Sequence, residues 1–164
     1  INDDTFQKIN LGQYRSQTAS IIQGETPFEG TLRENITFND SSINMEDLKW
    51  ALDSVSLTSF IKTLPDGLDI KIFPEGKQLS SSNAQKVLLA RSIIRRPKIL
   101  FYEDPTDRMD SDAAKEIIDF ICSRENSWTV IVSSANPYWQ LKSSRQIKME
   151  KGRIVEDIKI SSNA

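Results

Sequence analysis

SSNAQKVLLARSIIRRPKILFYEDPTDRMD, residues 81–110, holds the two elements that decide the fold. Residues 81–96 have helical spacing: Val87, Leu88, Ala90, Ile93 and Ile94 fall on one apolar stripe, and Pro97, which has no N–H to give, ends it. KILFY (98–102) follows as a continuous rather than alternating apolar run, the pattern of a strand covered on both faces, and it ends on two adjacent acids, Glu103 and Asp104.

The same alternation extends outward. TASII (18–22) and TVIVS (129–133) are further continuous apolar runs, which predict strands of a parallel sheet. Helical spacing is found in MEDLKWALDSV (45–55), SLTSFIKTL (56–64) and SDAAKEIIDFICSR (111–124). In the last of these Ser111 is the expected cap, and Ala114, Ile117, Ile118 and Ile121 the buried face. PDG (65–67) and KG (151–152) signal turns, the second between the strands RQIKME (145–150) and RIVEDIKI (153–160). Strands alternating with helices predict the α/β class. No internal repeat or low-complexity stretch interrupts the pattern.

Composition narrows the chemistry. At 164 residues and 38% hydrophobic content the chain can bury one domain-sized core, and 21 basic against 23 acidic residues leave a net charge of −2, too weak a field to hold nucleic acid. With no histidine and one cysteine, zinc centres and histidine-based catalysis are excluded, so any chemistry uses carboxylates, hydroxyls, amides or lysines. Cys122, in an apolar periodic stretch, is expected to be a buried free thiol in a reducing compartment, which points to the cytoplasm. No apolar run approaches the roughly 18 residues of a membrane span, and the first residues carry no leader pattern, so the chain is expected to be soluble.

Four segments, in order, make the chain resemble the ABC-transporter ATPase family of exporter type. SIIQGETPFEGTLRENI (20–36) is similar to the family's Q-loop, where LFSGTIRENI is typical. By that resemblance Gln23 helps hold magnesium and the attacking water, and Pro27 to Glu34 receive the coupling helix of a transmembrane domain. EGKQLSSSNAQKVLLARSIIRRPKIL (75–100) resembles the signature helix, whose usual form begins LSGGQ. A helix start offers unpaired N–H groups and a positive dipole end to a phosphate, and small residues let that phosphate approach. Ser80 matches the family, Ser81 and Ser82 stand for two glycines, and Asn83 for glutamine. The residues alone read equally as a serine-rich helix cap.

KILFYEDPTDRMD (98–110) resembles the Walker B strand and D-loop with its acids inverted. Glu103 holds the place of the magnesium aspartate and Asp104 that of the glutamate that polarises water, which implies a poor base; the bare alternative is a solvated turn. Asp110, with Ser80, Ser81, Ser82 and Asn83, completes the nucleotide-facing set that the resemblance implies. TVIVSSANPYWQLKSSRQIKMEKGRIVE (129–156) is similar to the switch strand and closing hairpin, with Ala135 where a phosphate-sensing histidine is usual. Trp128, Tyr138 and Trp139 read as core or rim aromatics.

None of the six glycines, at 12, 24, 30, 67, 76 and 152, makes the G-x-x-x-x-G-K-[ST] loop that cradles phosphates. The resemblance therefore implies a single partial domain over residues 1–164: a P-loop NTPase-like parallel sheet of three core strands with the ABC helical subdomain, its N-terminal strands and phosphate loop missing. Residues 24–97 would hold the Q-loop, helical subdomain and signature helix, and 98–164 the Walker B strand, D-loop, switch strand and hairpin. KILFY is expected in the centre of the sheet and TVIVS at an unpaired edge, covered by a partner or by a rearranged hairpin. ATP and Mg2+ are implied as cofactors, though not as ligands of this chain alone. The implied partners are a transmembrane domain and a second ABC ATPase, at the cytoplasmic face of a membrane. Two functions fit: a degenerate ATP-binding domain that cannot hydrolyse ATP by itself, or a non-enzymatic module keeping the fold for protein contacts.

Overall fold

The computed structural model describes residues 5–106 and 109–160. A 3-10 turn at Phe6–Lys8 and helix α1 (Leu11–Ser16) lead into β1 (Thr18–Ile21). Next come the short β2 (Gly30–Thr31), then α2 (Leu32–Thr37), α3 (Met45–Ser54), α4 (Thr58–Lys62), the short β3 (Lys71–Ile72) and α5 (Ser81–Ile93). The chain continues through β4 (Ile99–Glu103), α6 (Ser111–Ile121), β5 (Thr129–Ser133), α7 (Pro137–Lys142), β6 (Arg145–Glu150) and β7 (Arg153–Lys159).

The three predicted core strands form one parallel sheet in the order β1-β4-β5, with β4 central. KILFY is displaced by one residue, β4 running from Ile99 to Glu103, while Lys98 before it still donates its N–H to the Gln17 carbonyl and accepts from the Thr129 N–H. One expectation is overturned. β4 is not covered on both faces among the described residues: Leu100 and Tyr102 are buried, while Phe101 and Glu103 are exposed. The buried face joins Ile21 to Val87, Leu89 and Ile93 of α5 and to Ile117, Ile118 and Ile121 of α6. The opposite face carries Ser20, Phe101 and Ile131 in register, with Ile131 55% exposed. The outer edge of β5 has no strand beside it among the described residues, as expected. The closing hairpin β6–β7 makes a separate two-stranded sheet and does not pair with it.

Local chemistry sets the helix boundaries. α2 begins on a capping box: the Thr31 hydroxyl accepts from the Glu34 N–H, and the Glu34 carboxylate accepts from the Thr31 N–H at 2.7 Å. α6 is capped by Asp110, not by Ser111. Asp110 has the extended backbone that a cap requires and accepts from the Ala113 N–H at 2.9 Å, whereas Ser111 is already helical. Cys122 is half-buried rather than buried, and that burial raises its thiol pKa. Trp139 is buried against Tyr102 with ring centroids 5.5 Å apart, and Trp128 meets Phe120 edge-on, so both are packing aromatics as expected.

An almost buried charge braces the helices. Lys86 of α5 reaches Glu116 of α6 at 3.2 Å, and the other oxygen of Glu116 accepts from the Ser56 hydroxyl between α3 and α4. The Ser56 hydrogen bond, followed by that of Lys86, holds the Glu116 carboxyl below its ordinary range against the opposing effect of burial. A carboxyl depressed in the folded state stabilises above its unfolded pKa of about 4.3, and that stability is lost as pH falls through the folded value. Glu116→Gln is therefore expected to lower stability at neutral pH and to flatten the acid limb below about pH 4. Acid unfolding followed by circular dichroism checks this, and an unaltered acid limb would contradict it.

Candidate functional site

Parallel α/β sheets present ligands at the carboxyl ends of their strands, and three of the sequence-predicted residues, Gln23, Glu103 and Asp104, lie there. β1 ends beside Gln23, β4 on Glu103 and Asp104, and β5 on Ser133. The Gln23 N–H donates to Glu103 Oε2 at 2.8 Å, so the ends of β1 and β4 are tied by this acid.

Asp104 is fully engaged within the chain. Its Oδ1 accepts from the Thr106 N–H at 2.9 Å, and its Oδ2 accepts from the Thr106 hydroxyl at 2.9 Å and the Ser134 hydroxyl at 2.5 Å. Asn136 closes the network by donating its side-chain amide to Thr106 Oγ1 and its N–H to Ser134 Oγ. A carboxylate holding three donors has few lone pairs left to aim at a water. Ala135 sits exposed between Ser134 and Asn136, with no side-chain donor or acceptor. Below the site, burial and the neighbouring Asp104 charge push the Tyr102 phenol pKa upward, which keeps the phenol neutral.

The donor set does not fit a magnesium ion by itself. Mg2+ requires about six oxygens in octahedral array, several normally from phosphate and water. Glu103 and Gln23 are two residues, and one oxygen of Glu103 already binds backbone. Among the described residues no cluster of three metal-ligating side chains occurs. No hydrolytic step follows from this geometry.

Ser80 to Asn83 form a second cluster, joined to the first by no hydrogen bond or ion pair among the described residues. Ser80 caps α5, its hydroxyl accepting from the Asn83 N–H at 3.1 Å, so the cap reading is realised. Ser82, where the family has glycine, donates its hydroxyl to Asp110 Oδ2 at 2.8 Å. Asp110 is held below its ordinary pKa chiefly by the Ala113 N–H, then by Ser82. Ser81 is exposed at the first helical position. Residues 107 and 108 of the predicted D-loop lie outside the described residues.

The predicted transmission segment is a folded surface. Pro27 is buried against Gly76, where an added Cβ would lie 2.9 Å from the proline ring and whose φ of +66° also favours glycine. Phe28 stacks on Phe38, with centroids 5.6 Å apart, and both rings are exposed. Beneath them Asn35 is completely buried. Its Oδ1 accepts from the Phe28 N–H, and its Nδ2 donates to the Phe28 and Thr31 carbonyls. Sequence reasoning missed Asn35, Thr106, Ser134 and Asn136 as site residues. Only Asn136 carried a signal, since an asparagine followed by proline is a helix-start pattern, and it does cap α7.

This arrangement, with an acid-tipped central strand and a largely helical insertion between the first two strands of the sheet, defines a P-loop NTPase-like α/β domain. No protein-family model matches the chain. It is 36% identical to the ATP-dependent permease MDL1 of Candida albicans over 98% of this chain and 24% of that protein. It is 30% identical to the glutathione/L-cysteine transport system ATP-binding/permease protein CydC of Bacillus subtilis over 95% of this chain and 28% of that one. Among solved structures, a bacterial Atm1-family ABC exporter with ATP bound superposes with a TM-score of 0.86 at 21% identity, over 96% of this chain and 28% of the other. The chain belongs to the ATP-binding domains of ABC exporters, and it spans about a quarter of the length of these relatives. Among the described residues no helix is long and apolar enough to cross a membrane.

Proposed function

We propose that this chain is the part of an ABC exporter's ATP-binding domain that carries the Q-loop, helical subdomain (within 24–97), signature helix and switch strand, and that it serves a partner's nucleotide rather than hydrolysing its own. The observation that carries this reading is the saturation of Asp104 by Thr106 and Ser134. A general base must reach the proton that it takes, and a carboxylate turned into its own loop does not. The separate Ser80–Asn83 cluster, on the start of a long helix, then faces a second ABC ATPase, and Pro27 to Glu34 face the coupling helix of a transmembrane domain. Such a chain stands at the cytoplasmic face of the membrane and does not hold Mg-ATP tightly alone, because no lysine-bearing glycine loop lies among its residues.

Ser80→Ala tests the proposal in a transporter assembled with its partner ATPase. The partner's ATP turnover is expected to fall, beyond the loss of about 1 kcal/mol of helix stability from the missing cap. Unchanged turnover would sink this reading in favour of a non-enzymatic interaction module.

A further inference from the structure

Beside the apolar packing of Leu32 and Ile36 in the core shared with α5, one polar side chain ties the signature helix to the transmission segment. Arg91, near the C-terminal end of α5, donates Nε to the Asn35 carbonyl at 2.6 Å and Nη2 to Asn35 Oδ1 at 2.9 Å. The Asn35 carbonyl belongs to the last turn of α2, which has no further turn to bond it, so Arg91 supplies the donor that the helix lacks. The same guanidinium lies 5.3 Å from the Phe28 ring centroid and 4.8 Å from that of Phe38. Asn35 in turn fastens both backbone groups of Phe28. One planar group thus holds the buried hub and both exposed rings of the segment from 27 to 38. It does so from a helix whose other end is Ser80 to Asn83.

We propose that Arg91 is the positioning residue that makes the segment from 27 to 38 and helix α5 move as one rigid body. A displacement imposed at the Phe28–Phe38 surface then appears at the Ser80 end of the helix instead of being absorbed between them. Its meaning for coupling rests on the exporter reading above, but the linkage is a property of this chain. Lysine cannot replace arginine here, because a point charge with a flexible stem does not reach two acceptors in one plane.

The test needs neither nucleotide nor partner, so its failure is separate from failure of the exporter reading. In the full chain with Cys122→Ser, spin labels at the exposed positions of Glu29→Cys and Ser81→Cys report the distance between segment and helix start. The expected result is one narrow distance population, lost in Arg91→Gln and broadened in Arg91→Lys. A merely stabilising arginine would lower the unfolding midpoint of both variants and leave the narrow population intact, which would overturn the proposal. If Arg91→Gln does not fold, Arg91→Lys decides alone: a distribution as narrow as that of the unaltered chain refutes the linkage.

Discussion

Joined to the phosphate-loop half of a related ATP-binding domain, this chain is expected to hydrolyse ATP at least about 100-fold more slowly than the roughly 10 per second typical of enzymes. The reason is positional. Asp104 is one methylene shorter than the glutamate usual at its place, and Thr106 and Ser134 turn it toward the switch loop. Ala135 brings no donor to the terminal phosphate. Asp104→Glu combined with Ala135→His should recover turnover, since the longer acid projects beyond the Thr106 network and the imidazole restores a donor. Steady-state phosphate release from the joined domain measures both, and a rate near 10 per second without these substitutions would show that the site is not impaired.

The largest loss of stability is expected from Asn35→Ala. The Asn35 carboxamide makes four hydrogen bonds in a site closed to solvent, one of them to the Arg91 guanidinium. Removing it strands the Phe28 N–H, two carbonyls and half of the arginine's pairing. Each buried unsatisfied group costs about 1–3 kcal/mol, so a total on the order of 3–5 kcal/mol is expected. That is a large part of the 5–15 kcal/mol typical of a whole domain. Urea unfolding measures it, and a loss under about 1 kcal/mol would mean that water replaces the carboxamide. Asn35→Asp keeps the acceptor toward Phe28 and Arg91 and loses only the donors, so it should fall between.

What was legible in the sequence is what repeats along the chain. The stripe of Val87, Ala90, Ile93 and Ile94 and the unbroken runs at 18–22, 98–102 and 129–133 specified α5 and the three sheet strands. The same unbroken character hid the open face, because Phe101 and Ile131 look as buried as Leu100 when every neighbour is apolar. Short elements were lost for a different reason: α2, α7 and the strand pair β2–β3 do not last long enough to establish a period. The choice of Asp110 over Ser111 as cap turned on one residue's backbone angles, which two adjacent cap-forming residues leave open. At the candidate site the identities of Gln23, Glu103 and Asp104 were readable through their order along the chain. The engagement of Asp104 was not, since Ser134 lies 30 residues away and reaches it only through the pairing of β4 with β5. Arg91 and Asn35, 56 residues apart, are a still longer reach.

The insertion of the helices between β1 and β4 also bears on how the chain acquires its shape. Gln23 and Glu103, which meet at the strand ends, are 80 residues apart in sequence. Parallel neighbours of that separation close a long loop before they gain a contact, and such pairings make folding slow. The intervening segments, by contrast, nucleate locally: α2 on its capping box and α3 on Asn44 each begin with a cap a few residues from the groups it satisfies. The helical part should therefore assemble first, while β4 meets β5 across a short connection, leaving the apolar β1 run, which pairs only with β4 among the described residues, unpaired for the longest time. In the cell that interval is when a chaperone has most to hold, and variants that delay the helices should reveal themselves as aggregates before any defect in the folded protein is seen.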